Sequence, residues 1–147
     1  MNLNKSITAS VYVVNKDKVL LHMHKKHKTL FPLGGHMETN EVPHETAIRE
    51  VFEESGLSIE LYNNEEPLYL GRVKQLHRPI HVLLENVGHP VENIDFIYFA
   101  TTKNDQLKPQ KGESKELYWL SRTDIESNEC IEPHVKAIAL EVLNTIK

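Results

Sequence analysis

Cysteine is almost missing from this 147-residue chain: Cys130 stands alone, so no intrachain disulfide can form and nothing points to an oxidising compartment. It reads as a small core or surface residue rather than a nucleophile. Long apolar runs are missing too. No segment approaches the roughly 20 apolar residues of a membrane span, and residues 1–10 lack the apolar stretch of a signal peptide. These absences predict a cytoplasmic protein without membrane contact. There is no basic excess either, since 17 Lys and Arg face 21 Asp and Glu for a net charge of −4. Duplex binding would favour a basic face, so a nucleic-acid polymer is a poor partner. Finally, no Ser/Gly-rich linker or shift in composition divides the chain. With 39% hydrophobic residues it can bury one core, which predicts a single domain over residues 1–147.

The patterning that is present predicts a mixed sheet flanked by helices. Residues 7–14 and 19–24 are apolar or β-branched runs joined by Asn15, Lys16, Asp17 and Lys18, which reads as a hairpin. Residues 68–73 and 94–101 supply further strands, 79–86 reads as a short strand followed by a loop to Val91, and 117–120 as another short strand. Residues 133–146 form an amphipathic pattern with Val135, Ile138, Val142 and Ile146 on one stripe, expected to pack on the core.

Another helix is expected from Pro43 to Ser55. Proline suits the first helical position and Gly56 the left-handed residue beyond the end. At about 100° per residue, Glu50, Glu53 and Glu54 share one sector, while Ala47, Ile48 and Val51 lie nearer the opposite side and should face the sheet. Like charges at these spacings disfavour a bare helix by about 0.2–0.5 kcal/mol per pair, so the acidic face calls for a cation. Magnesium fits, being a hard ion held by a few carboxylates, waters and substrate phosphates. Arg49, four after Glu45 and four before Glu53, can orient a carboxylate. Before the helix, Gly34 and Gly35 predict a strand ending in a tight loop that a metal or phosphate can approach.

The full run is Gly35, five residues, Glu41, seven residues, then Arg49-Glu50-Val51-Phe52-Glu53-Glu54-Ser55-Gly56-Leu57. It resembles the Nudix box, with both glycines, all four glutamates, the arginine and the apolar positions Val51 and Leu57 filled; Leu33 stands where many members have proline. The resemblance implies an α/β fold, the Nudix-type α/β/α sandwich with a mixed β-sheet. It also implies a magnesium-dependent hydrolase, with manganese as a second candidate, that cleaves the pyrophosphate linkage of a nucleoside diphosphate joined to another moiety. Nucleoside triphosphates, dinucleoside polyphosphates, nucleotide sugars and ADP-ribose all remain open as substrates. The implied metal set is the Gly35 carbonyl with Glu50, Glu53 and Glu54, and Glu38 and Glu41 would brace the loop. The catalytic set is Glu53, Glu54, Arg49 and Glu113. Glu113 is the positional match for a distal glutamate before a tryptophan-bearing strand, with Glu116 in reserve, and the general base stays open between Glu54 and Glu113.

The remaining features read more plainly. Lys25, Lys26, His27 and Lys28, with Arg72, Lys74 and Arg78, are candidates for a local phosphate-binding patch. Trp119 reads as core. The nine histidines match no zinc spacing, and His36 alone is placed near substrate. Substrate recognition is assigned to loops such as 63–67 and 75–90. Monomer and homodimer are both open. A nucleotide-sensing domain without turnover is the alternative, and an acidic domain docking a protein is a third; the sensing domain would predict loss of box carboxylates, and none is lost.

Overall fold

The computed structural model describes residues 4–25, 27–63, 65–113 and 116–147. Lys26 of the basic cluster, Asn64, and Ser114 and Lys115 of the distal loop therefore lie outside the described residues.

A long strand β1 (Asn4–Asn15) organises the sheet. It turns through Lys16 and Asp17, both at positive φ (48° and 64°), into antiparallel β2 (Lys18–Met23), as the turn residues predict. Further down the same edge of β1 lies antiparallel β4 (Leu33–His36), reached through β3 (Leu30–Phe31), a short partner of β2. On the other edge β1 runs parallel to β9 (Val91–Thr101) from Asn4 opposite Val91 to Val14 opposite Thr101. Antiparallel β8 (His81–Asn86) and β5 (Glu60–Leu61) pair with β9, and β10 (Leu117–Ser121) pairs with β2.

Period-two alternation divides the apolar side chains of β1 between two cores. Ala9, Val11 and Val13 join Leu20, Leu33, Ala47 and Val51 beneath helix α1 (Pro43–Ser55). Tyr12 and Val14 join Leu21, Phe99, Ile125, Val135, Ile138 and Val142 beneath α2 (Arg122–Ser127) and α3 (Pro133–Thr145). Helices thus cover both faces of a mixed sheet, the α/β/α sandwich. Among the described residues no helix is long and apolar enough to cross a membrane.

Three expectations need correction, and one element went unread. Residues 68–73 are not one strand: Gly71, at φ 64°, folds them into a separate hairpin of β6 (Tyr69–Leu70) and β7 (Val73–Lys74). The glycine pair does not lie in a loop after a strand but inside β4. A Cβ on Gly34 would sit 2.1 Å from the Ala9 carbonyl oxygen, so the close approach of β4 to β1 requires glycine there. Ile48 does not pack on the sheet and is 41% exposed, because the buried stripe of α1 is Pro43, Thr46, Ala47, Val51 and Ser55. Helix α2 was not foreseen, although Ser121 and Asp124 cap it reciprocally: the Ser121 hydroxyl accepts from the Asp124 N–H at 3.2 Å, and the Asp124 carboxylate accepts from the Ser121 N–H at 2.9 Å.

Candidate active site

Helix α1 is held at both ends by its own sequence. Glu45 accepts a hydrogen bond from the Val42 N–H at 3.0 Å, and Gly56, at φ 78°, donates its N–H to Phe52 O at 2.8 Å. Capping occupies Glu45, so Arg49 pairs not with it but with acids from elsewhere. Its Nε and Nη2 donate to the two oxygens of Glu41 at 3.0 and 2.7 Å, and its Nη1 to Glu50 and Glu53, each at 2.9 Å. Nη2 also donates to the His36 carbonyl at 3.1 Å, and Glu38 lies 3.7 Å from Nη1. One guanidinium thus ties the loop after β4 to the acidic helix face. Glu41 further accepts from the Glu38 N–H and the Thr46 hydroxyl, at 3.0 and 2.7 Å, which fixes the loop.

The charges are unevenly compensated. Hydrogen bonds from Arg49, helped by those from Glu38 N–H and Thr46, hold the Glu41 carboxyl down at about 2. Burial pushes the Glu54 carboxyl up to about 8; the neighbouring charges of Glu50, Glu113 and Glu53 add to the rise, against its hydrogen bond from the Gly34 N–H at 2.9 Å. Burial also raises Glu50, opposed by Arg49. Hydrogen bonds to Glu41 first, then to Glu53 and Glu50, hold the Arg49 guanidinium protonated against its partial burial.

Gly35 adjoins this cluster directly. A Cβ built on it would lie 2.5 Å from the Glu50 carboxyl, so glycine alone lets the strand meet the acids. Among the described residues no three His, Cys, Asp or Glu side chains converge as a ready-made ion site; Glu50 and Glu53 turn to Arg49, and Glu54 to Gly34. The donor set nevertheless fits a hard divalent cation: carboxylates on one helix face, a buried acid short of positive charge, and a strand backbone stripped of side chains beside them.

The distal loop reaches the same place by a route the sequence did not reveal. Its backbone satisfies the last carbonyls of α1, with Lys108 N–H donating to Ser55 O at 2.7 Å and Gln110 N–H to Glu53 O at 3.0 Å. Glu113 follows one turn on, its N–H bonded to Gln110 O, and its charge is among those that raise Glu50 and Glu54. Glu116 instead sits beside β2, where its carbonyl accepts from Met23 N–H. Trp119 is half-buried on the α1-side core, its Nε1 donating to Asp105 O at 3.0 Å, and Cys130 is exposed.

Two clefts flank the site. A cavity of about 830 Å³ runs from Gly34, Gly35 and His36 across Thr8, Ser10 and Asp95 to Glu132 and His134. A smaller one of about 310 Å³ lies between α1 and the β6–β7 hairpin, lined by His44, Ile48, Lys74 and Arg78 among others. Of the basic candidates, Lys74 and Arg78 therefore belong to the smaller cleft, Lys74 standing 5.5 Å over the Tyr69 ring and Arg78 pairing with Glu65. His27 and His36 line the larger. The His22, His24 and His27 rings follow one another at 6.5 and 4.7 Å. Asp95 was missed; its signal was a lone carboxylate in the run Ile94-Asp95-Phe96-Ile97-Tyr98-Phe99.

Comparison with known proteins agrees with this arrangement. The NUDIX domain model matches residues 4–140. A hydrolase of the NUDIX family from Clostridium perfringens is 41% identical, with 99% of this chain and 100% of that chain covered and a TM-score of 0.87. A UDP-X diphosphatase (14% identity, 100% of this chain and 66% of that chain, TM-score 0.69) shares the fold. So does an ADP-ribose pyrophosphatase from Streptococcus suis (13%, 95% and 90%, TM-score 0.63). No curated protein matches. With the box, the sandwich and a 41% identical relative in agreement, the chain belongs to the Nudix hydrolase family.

Proposed function

We propose that the protein hydrolyses a pyrophosphate linkage in a nucleoside diphosphate joined to another moiety, and that it requires magnesium. The observation that carries this reading is the acidic face of α1, gathered by Arg49 and met at close range by the Gly35 backbone. Magnesium, or manganese, held by the Gly35 carbonyl, Glu50, Glu53 and Glu54 would offset charge on the bridging phosphates and lower the pKa of the attacking water.

The protein's own groups do the rest. Arg49 keeps the acidic residues in one orientation and ties them to the loop through Glu41, so the site is preorganised rather than assembled on binding. A carboxylate must take the proton of the attacking water. Glu54, buried beside the glycine strand, and Glu113, on the loop that crosses the end of the helix, are the two candidates for that role. The folds shared with a UDP-X diphosphatase and an ADP-ribose pyrophosphatase put nucleotide sugars and ADP-ribose first on the substrate panel. The test is product release from nucleoside triphosphates, dinucleoside polyphosphates, nucleotide sugars and ADP-ribose, in magnesium and in EDTA. Magnesium-dependent turnover of at least one class is expected. No turnover of any class in magnesium or manganese would overturn the reading.

A further inference from the structure

The cavity of about 830 Å³ has a polar floor that the hydrolytic machinery does not use. The register sets its layout: Thr8 of β1 lies opposite His36 of β4 on one side and Asp95 of β9 on the other. Asp95 is therefore two strand spacings from the glycine strand, roughly 10 Å. Its Oδ1 accepts from the Thr8 hydroxyl at 2.9 Å and its Oδ2 from the Ser10 hydroxyl at 2.8 Å. These hydroxyls carry one proton each, so about half of the carboxylate's roughly four acceptor sites stay open. Two residues along the same strand face, the Asn93 side-chain oxygen is buried and has no hydrogen-bond partner among the described residues. An acceptor left so costs free energy unless something donates to it.

Apart from histidines, the ionisable groups with full charge around this floor are acids. Glu85 and Glu132 also line the cavity, with His134 between them at 3.9 and 3.6 Å, and among the described residues neither Lys nor Arg lines it. A further phosphate or carboxylate would meet Glu85, Asp95 and Glu132 with no Lys or Arg among the described lining residues to offset them, whereas an N–H or O–H donor would find open acceptors.

We infer that this cavity receives the non-phosphate moiety of the substrate and that Asp95 and Asn93 select an uncharged, hydrogen-bond-donating group there. The inference rests on the hydrolase reading for the position of the diphosphate, at Gly35 and α1. An amino-bearing base and a neutral sugar share this chemistry, and matched pairs separate them. GTP against ITP removes one exocyclic amine, while UDP-glucose against UDP-glucuronate, and ADP-ribose against the derivative phosphorylated at the 1-position of its terminal ribose, add a negative charge at the sugar end.

KM and kcat would be measured for each pair with wild type, Asp95→Asn and Asn93→Ala, and calorimetric binding of the methylene-bridged analogues would be measured beside them. Wild type should favour the donor-bearing, uncharged member of at least one pair about tenfold or more in KM and in binding. Asp95→Asn keeps an oxygen for Thr8 or Ser10 but turns one acceptor into a donor, so it should remove most of that preference while kcat moves less than threefold. Asn93→Ala removes an oxygen that has no hydrogen-bond partner among the described residues and should weaken the preference too, which keeps the test valid should Asp95→Asn fail to fold. A response in the GTP pair places the base in the cavity; a response in the sugar pairs places the sugar there. No preference in wild type, no binding of any analogue, or a preference intact in both variants would overturn the inference. Discrimination in binding without turnover would instead sink the hydrolase reading alone.

Discussion

On the α1 side of strand β4, four glutamates share one guanidinium; on the β9 side, Asp95 is fixed by two hydroxyls with no Lys or Arg among the described lining residues. Strand β1 and the glycine strand β4, with Gly34 and Gly35, lie between the two groups. The difference lies in what each can exchange. Carboxylates bound to Arg49 are oriented by it, and a divalent cation could take over oxygens that the guanidinium releases. A carboxylate held by neutral hydroxyls has no cation to trade and can only accept further donors. The first arrangement suits phosphate chemistry and the second suits recognition.

Removing charge from the helix side should have the largest effect. Glu53→Gln or Glu54→Gln keeps side-chain volume and the hydrogen-bond acceptor but deletes one unit of charge, and turnover should fall roughly a hundred- to a thousandfold with the fold retained. Near-normal turnover in both at saturating magnesium would remove the distinction between the two sides. Next comes Glu113→Gln. If this residue is the base, kcat should drop about a hundredfold with KM and magnesium dependence unchanged. If it holds metal instead, more magnesium should be needed for half-maximal rate. Glu116→Gln, beside β2, is the control and should leave the rate alone.

Smaller effects belong to the guanidinium. Arg49→Lys cannot bridge Glu41 in a fork while reaching Glu50 and Glu53, so it should lower stability by about 2 kcal/mol. Chemical denaturation reads this directly, and an unchanged midpoint would mean the pairings are redundant. Smallest is the acid dependence of Glu41. Its folded pKa, about 2, lies below its ordinary 4.5, so its contribution to stability is fully present above about 4.5 and is lost as pH falls from there through about 2. In EDTA, Glu41→Gln should be less stable than wild type near neutrality and flatter in Tm between pH 5 and about 2. Parallel curves would show that the ion pair adds nothing.

The same contrast explains what was legible in the sequence. Helix α1 was readable from Pro43 and Gly56, and its acidic face from spacing, because caps and periodicity are local. Ile48 was misplaced because the exact width of a buried stripe depends on what packs beside it, and Ile48 faces the open cleft between α1 and the β6–β7 hairpin. That Glu45 would cap the helix while Arg49 gathered Glu41 was a competition between partners that spacing alone did not decide. Asp95 was invisible for a further reason: its partners Thr8 and Ser10 are 87 and 85 residues away, brought opposite by the parallel pairing of β1 and β9. Glu113 was singled out by resemblance alone, since the contacts that bring its loop to α1, Lys108 to Ser55 and Gln110 to Glu53, are backbone bonds without a side-chain code.

The central claim is that the α1 face is a cation site in the folded protein, and the magnesium dependence of thermal stability tests it without reference to any substrate. Melting curves of wild type and Glu53→Gln in EDTA and in millimolar magnesium should show a rise in Tm with magnesium for wild type and a smaller rise for the variant, since an ion that binds only the folded form stabilises it by mass action. Identical curves for wild type in EDTA and in magnesium would contradict the claim.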